Sequence, residues 1–249
     1  MRFSIITVTL NAEKYLEETL LSVCGQTFPD YEHIVWDGGS SDRTLEIISR
    51  FPHIKLFCGT DSGISDAMNR GARFARGEYI IHLHADDCLA HERVLEEIDR
   101  LLTREGNPAW MYGLADIIDH EGTYQRTSQL IPFDARRLRK YNIITHPATV
   151  LSRQLFMESG GFRTDLKYCM DYELWLRLAQ TCNAVALPVV VAKFRGHQGS
   201  LSTRETRGVA DEAYRVRNEY VKNIWERFQS YRTWKRRCRK LEIPISNQR

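Results

Sequence analysis

No apolar run in this 249-residue chain approaches the ~20 residues that span a bilayer, so no transmembrane segment is expected. The N-terminal Met-Arg-Phe-Ser-Ile-Ile-Thr-Val run is too short and too β-branched for a signal peptide. CxxC pairs and zinc spacings are missing. The six cysteines stand apart at 24, 58, 88, 169, 182 and 238, which excludes a disulfide scaffold and fits a reducing cytoplasm. Internal repeats and low-complexity tracts are also lacking, which removes solenoid and disordered classes. Charge of one sign is scarce in sum, and a net +3 implies no nucleic-acid partner. Its distribution is uneven: Arg232, Lys235, Arg236, Arg237, Arg239 and Lys240 follow Tyr231 with no acid among them.

Regular alternation is what the chain does have. Phe3–Val8, Glu32–Asp37, Ile54–Cys58 and Tyr79–Leu83 read as strands. Helices are expected from about Ala12 with Asn11 as cap, around Leu45–Ile48, and over Ala67–Ala75, whose small residues permit close packing on a sheet. This βαβαβαβ order implies a parallel sheet with helices on both faces, and such sheets bind ligands beyond the carboxyl ends of their strands. Thr9–Asn11, Asp37–Ser41, Asp61–Asp66 and Asp86-Asp87 all fall at those ends, so four polar clusters converge on one rim. After a helix carrying Val94, Leu95, Ile98, Leu101 and Leu102 the pattern changes. A hairpin flanks Asp119–Gly122, a short basic helix covers Phe133–Lys140, and a strand lies near Ala148–Leu151. Helices then begin at Arg153 and Asp171, and Ala184–Phe194 reads as a strand broken by Pro188. From about Thr206, apolar residues from Val209 to Tyr231 step by three or four, predicting one long amphipathic helix.

Asp86-Asp87 is the densest charge on the rim. Adjacent carboxylates repel, and a Mg2+ or Mn2+ ion bridging them to diphosphate oxygens removes that cost. The plainer reading is a cap on a helix beginning near His91. Asp37 can accept from a base N–H or a ribose hydroxyl, or it can organise the Gly38-Gly39 bend as an Asx turn. Asp61, Asp66 and Asn69 carry the same ambiguity. Asp66 lies inside a helical segment and so leans towards a ligand or an ion pair with Arg70 or Arg73. Asp171 is electrostatically comfortable at a helix start, a structural role that is the plainer reading; it could instead be the base that takes a proton from an acceptor hydroxyl. His146 and Glu173 are candidates for acceptor contact. His197 lies in the glycine-rich Arg195–Ser200 stretch, which could close over a diphosphate or be an ordinary connection.

Taken in order, these segments resemble glycosyltransferase family 2, the inverting enzymes of the GT-A fold. Ser4–Asn11 with Leu20–Thr27 and Val35–Thr44 (VWDGGSSDRT) is similar to the family's nucleotide-binding half. Asp61–Gly71 (DSGISDAMNRG), Gly77-Glu78-Tyr79 and His84-Ala85-Asp86-Asp87 resemble its donor and metal segment. Gly160-Gly161-Phe162 with Met170–Arg177 (MDYELWLR) resembles its acceptor-side segment, and the likeness covers roughly residues 3–202. It implies an α/β GT-A fold with a Rossmann-like, mostly parallel central sheet flanked by helices and a C-terminal helical extension. Residues 1–203 would form the transferase domain, with a nucleotide half to about 105 and an acceptor half after it, and 204–249 the extension. By the same resemblance Thr9 and Asn11 line the nucleotide pocket, Asp37 meets the base, and Asp61, Asp66 and Asn69 lie near the donor. Asp86 serves the ribose and, with Asp87, the Mg2+ or Mn2+, while Asp171 is the catalytic base of a single in-line displacement. His84 stands where many members carry an acid or asparagine, so metal binding leans on Asp86 with Asp87.

The implied activity moves a sugar from a nucleotide-diphosphate sugar, UDP-linked by family habit, to a hydroxyl on a lipid-linked or oligosaccharide acceptor. Polysaccharide, lipopolysaccharide or glycolipid assembly is the expected setting. A sugar nucleotidyltransferase would carry a glycine-rich triphosphate loop after the first strand, and Thr9–Tyr15 holds no glycine. A non-catalytic nucleotide-sugar-binding scaffold is the other alternative, and Asp86, Asp87 and Asp171 speak against it. The basic C-terminal segment, with Tyr231 and Trp234 among its cations, suits anionic headgroups at the inner face of the plasma membrane or a lipid-diphosphate acceptor. A solvated helix end or a homo-oligomer contact is the other reading.

Overall fold

β1 (Phe3–Thr9) is buried on both faces: Phe3 and Ile5 enter one core, Ile6 and Val8 the other. β4 (Tyr79–His82) repeats the pattern, with Tyr79 and Ile81 opposite Ile80. Burial of both faces is what a parallel strand under helices on each side requires. The computed structural model describes residues 1–197 and 207–242, so the expected boundary near 203 and residues Gln198–Ser200 of the glycine-rich stretch lie outside it.

Around β1 stand β2 (Tyr31–Asp37), β3 (Ile54–Cys58) and β4, all parallel, connected through α1 (Leu16–Cys24), α2 (Thr44–Ser49) and α3 (Ile64–Arg73). Gly71 lets α3 lie close, since a Cβ there would meet Ile6 at 2.7 Å. After β5 (Cys88–Leu89) and α4 (Val94–Arg104), the second half adds the β6 (Trp110–Ile118)–β7 (Tyr124–Thr127) hairpin, α5 (Ala135–Leu138) and β8 (Thr149–Ser152). It continues through α6 (Arg153–Glu158), α7 (Met170–Leu178) and β9 (Val185–Arg195). The strand order is β3-β2-β1-β4-β8-β6-β9-β5, with β7 on β6. β8 joins β4 antiparallel and carries the sheet from one half into the other, while β9 runs parallel to β6. In the second half Trp110 and Trp175 stack with ring centroids 5.7 Å apart at the centre of the core.

Four local expectations are corrected. The first helix starts at Leu16, and Asn11 does not cap it. Asn11 instead adopts φ 51° and binds the β2–α2 loop, accepting from the Ser41 amide at 2.9 Å. Pro188 does not break β9; it sits where the β6–β9 pairing slips between Tyr112–Ala186 and Leu114–Val190, a position that needs no ladder donor. Asp86 and Asp87 do not cap the next helix, because β5 intervenes and α4 begins only at Val94. The long C-terminal helix is a hairpin of α8 (Arg207–Tyr220) and α9 (Ile224–Glu242). Asn223 starts the second helix by accepting from the Glu226 amide at 3.0 Å, while Glu226 reaches back to the Lys222 amide at 2.8 Å.

Candidate active site

A cleft of about 480 Å³ opens beyond the carboxyl ends of β1 and β4. Thr9, Asp61 and Asp86 line it from the first half, His146 and Asp171 from the second, and His197 from the segment after β9. Six of the residues singled out from the sequence therefore meet at one place. The others bond within the fold, away from the cleft lining.

Asp37 is fully buried and saturated. Its Oδ1 accepts from the Gly39 and Ser40 amides at 3.0 and 2.8 Å, and its Oδ2 from the Thr9 and Ser40 hydroxyls at 2.8 and 2.6 Å. Burial alone would raise its pKa, but these donors outweigh that and hold it below the usual carboxylate range. Asp37 thus shapes the loop and orients Thr9, as the Asx-turn reading has it. Asp61 accepts from the Gly63 amide and from Trp36 Nε1, each at 3.0 Å, and remains on the cleft wall. Asp66 pairs with Arg70 at 3.0 Å and accepts from the Ser62 amide at 3.0 Å, holding the first turn of α3.

Two residues of the expected donor and acceptor sets face elsewhere. Asn69 grips Phe162 with both ends of its amide, accepting from the Phe162 N–H and donating to its C=O, each at 2.8 Å. It is a clamp between the halves, away from the cleft lining. Gly161 makes this approach possible, since a Cβ there would stand 2.4 Å from Asn69 Oδ1. Glu173 is buried, with Arg177 Nη2 at 2.8 Å and the Tyr220 hydroxyl also bonded to it, and so joins α7 to α8 outside the cleft lining.

The adjacent carboxylates divide. Asp86 faces the cleft with His197 Nε2 2.8 Å from its Oδ2. Asp87 is wholly buried and accepts from the Arg195 amide at 2.9 Å; its Oδ2 has no protein partner. Burial, then the neighbouring charge of Asp86, push the Asp87 carboxyl well above its ordinary range. Asp86 is thus the carboxylate on the cleft wall, and Asp87 the buried one behind it. Arg195, itself buried, holds the turn from behind: Nε donates to the Asp86 carbonyl at 3.0 Å, Nη2 pairs with Glu18, and the guanidinium lies 4.6 Å over the Tyr15 ring. His197 stands two residues beyond Arg195, just after β9.

At the cleft floor His84 and His146 lie 5.0 Å apart, centroid to centroid, and His146 stacks on Phe162 at 5.6 Å. Burial, then the charges of His84 and His82, drive His146 well below its ordinary pKa. Burial lowers His84 against the pull of Asp86, so the floor is neutral. Asp171, half-buried in the first turn of α7, has its carboxyl pushed up to about 6 by burial, against the bonds from the Tyr172 amide and the Asn142 amide group at 3.5 Å. Lys167 is the sole lysine or arginine among the described lining residues. It escaped sequence reasoning, as did Tyr15, Arg195 and Tyr168, because none falls on a periodic pattern; Lys167 and Tyr168 stand just before Met170-Asp171 and could have been suspected from that alone.

Asp86 Oδ2 and His197 Nε2 contact each other at 2.8 Å on the cleft wall, a carboxylate and an imidazole of the kind that could share a divalent ion. No cluster of three His, Cys, Asp or Glu side chains with metal geometry occurs among the described residues. Two protein ligands suffice where diphosphate oxygens and water complete the shell.

Comparison with known proteins agrees with this geometry. Residues 4–159 match the family model described as glycosyl transferase family 2. A "PGL/p-HBAD biosynthesis glycosyltransferase" of Mycobacterium bovis (strain BCG / Pasteur 1173P2) is 31% identical over 208 residues, covering 81% of this chain and 79% of that protein. An uncharacterized glycosyltransferase of Haemophilus influenzae is 27% identical over 230 residues, covering 89% and 78%. Among solved structures, S. aureus TarS 1–349 in complex with UDP-GlcNAc superposes with a TM-score of 0.73 at 18% identity, covering 99% of this chain and 74% of that one. The mannosyltransferase PcManGT of Pyrobaculum calidifontis with GDP-Man and Mn2+ gives 0.65 at 18% identity, covering 97% and 75%. These neighbours carry the same GT-A-like fold.

Proposed function

We propose, for a chain that belongs to glycosyl transferase family 2, that its cleft transfers a sugar from a UDP-sugar to an acceptor hydroxyl with inversion at the anomeric carbon. The observation that carries this reading is the pairing, in one cleft, of a desolvated carboxylate at Asp171 with the Asp86–His197 pair. A carboxyl whose pKa is pushed up to about 6 is a stronger base than an ordinary aspartate and is still ionised at neutral pH. Asp171 accepts the proton of the acceptor hydroxyl as its oxygen bonds to the anomeric carbon. The bond from that carbon to the diphosphate breaks, and its electron pair leaves with the nucleoside diphosphate. Thr9, fixed by Asp37, and Asp61 line the nucleotide end. His84 and His146 offer neutral hydrogen-bonding groups towards the sugars.

Asp61, Asp86 and Asp171 line the cleft with Lys167 alone among the described lining lysines and arginines, so charge balance favours a cation arriving with the diphosphate donor. Asp86 and His197 would hold a Mg2+ or Mn2+ ion, which supplies neutralising charge at the leaving diphosphate. The names of the similar proteins, one a PGL/p-HBAD biosynthesis glycosyltransferase and one bound to UDP-GlcNAc, support a donor of this class and a setting in cell-surface glycan or glycolipid assembly. A thermal-shift screen of UDP, GDP and their sugars with and without Mn2+ tests the reading. UDP ligands should raise the melting temperature most, with a Mn2+-dependent part that Asp86→Ala removes. A chain that responds to no nucleotide, or whose Mn2+ response survives Asp86→Ala, would refute the donor site or the metal role respectively.

A further inference from the structure

The inner face of α9 is occupied and its outer face is not explained by the fold. On the inner side Trp234 Nε1 donates to Asp211 at 2.6 Å and stacks on Tyr214, and Ser230 accepts from Arg217 at 3.2 Å. This corrects the sequence-based grouping of Trp234 with the outward aromatics. Outward, the first two turns present Ile224, Trp225, Phe228 and Tyr231, and Trp225 at 74% is the most exposed large apolar side chain among the described residues. The following turns present cations. Arg232, Lys235, Arg236 and Arg239 line, with Lys140, a shallow concavity of about 540 Å³. Residues 227–241 contain no acid, so a chain of net charge only +3 concentrates its positive charge on this helix.

An apolar patch alone would suit a protein partner, and a cationic stripe alone would suit any polyanion. Here both occupy one face of a 19-residue helix, with Trp and Tyr at the apolar end and Arg and Lys beyond it. That is the chemistry of an interfacial helix, whose aromatics enter the headgroup–acyl boundary while its cations meet lipid phosphates. No described helix is long and apolar enough to cross a membrane, so attachment by this face would be peripheral.

We propose that the outer face of α9 docks the protein on an anionic lipid bilayer, with Ile224, Trp225 and Phe228 entering the boundary and the Lys140–Arg239 concavity taking lipid phosphates. This is independent of the transfer chemistry, because it is read on empty vesicles with no nucleotide present. The full chain is mixed with vesicles of phosphatidylcholine alone or with about 30% phosphatidylglycerol, at about 0.05 to 0.5 M salt, and followed by co-sedimentation and tryptophan emission. Binding should require phosphatidylglycerol, weaken as salt rises, and shift the emission of Trp225 to the blue. The quadruple variant Arg232→Gln, Lys235→Gln, Arg236→Gln and Arg239→Gln should lose about 100-fold or more in partitioning, at roughly fivefold per cation. Trp225→Ser with Phe228→Ser should lose binding and the blue shift while keeping the wild-type melting temperature. Should either variant melt early, the salt and lipid dependence of the wild type decides. A protein that stays in the supernatant with phosphatidylglycerol vesicles overturns the proposal. So does a variant that melts normally and still binds as wild type, or a patch that instead drives self-association or RNA binding without vesicle binding.

Discussion

Asp171 meets two opposed demands. Desolvation makes it a better base and at the same time disfavours its ionised form in the folded protein. Its folded pKa of about 6 lies above the 3.8 of an exposed aspartate, so its stabilising contribution is complete below pH ~4 and is lost as pH rises through about 6. At neutral pH the ionised side chain then costs at most about 3 kcal/mol, and less where cleft water screens it. Asp171→Asn should therefore lower turnover by about 10²- to 10⁴-fold while raising the melting temperature at pH 7.5. That opposition separates a base from a structural carboxylate, whose removal would lower both. In the wild type, turnover should rise with pH through about 6 as Asp171 ionises; a flat profile between pH 5 and 7 would remove it from the base role. Asp171 and Asp86 were legible because each ends or begins an element at the rim. Asp87, Asn69 and Glu173 sit in the same motifs yet face inward, and residue spacing carries no record of side-chain direction. His197 was legible as a candidate, but its partnership with Asp86 depends on β9 returning beside β5 more than a hundred residues later.

At the level of elements, α3 supplies both the cleft wall at Gly63, Ile64 and Ala67 and, through Asn69, the grip on the Gly161-Phe162 turn. Asn69→Ala removes two hydrogen bonds, both to the backbone of the buried Phe162, and should cost about 1–3 kcal/mol. For a chain of this size that corresponds to a fall of roughly 2–10 °C in melting temperature. Because Phe162 stacks on His146, acceptor KM should rise more than donor KM in that variant; equal effects would mean the clamp serves stability alone. The alternating strands and small-residue helix of the first half were readable because their periods are local. The hairpin of α8 and α9 was also encoded locally, by Asn223 with Glu226 three residues on, but an unbroken apolar period across Tyr220–Ile224 masked it. The continuity of β9 through Pro188 could not be read, since it depends on a slip in pairing with β6 that exists only in the assembled sheet.

Across the whole molecule, the β4–β8 pairing and the Asn69–Phe162 clamp bind the two halves of the cleft into one sheet and one core. Unfolding should accordingly be a single calorimetric transition, and UDP at about 100 times its Kd should move all of it by about 2.7 kcal/mol. Two separable transitions, only one of them nucleotide-sensitive, would show that the halves fold independently. One further contact gives the molecule a scale. Arg139 pairs with Glu226 in the first turn of α9 at 2.9 Å, and three residues along the chain Asn142 touches Asp171. Three residues of extended backbone, the reach of the two side-chain contacts and the width of the helix put the outward patch of α9 no more than about 40 Å from Asp171. Under the proposed docking that bound is a ruler: an acceptor hydroxyl presented from the surface beneath α9 need stand off no farther than this, whatever its sugar.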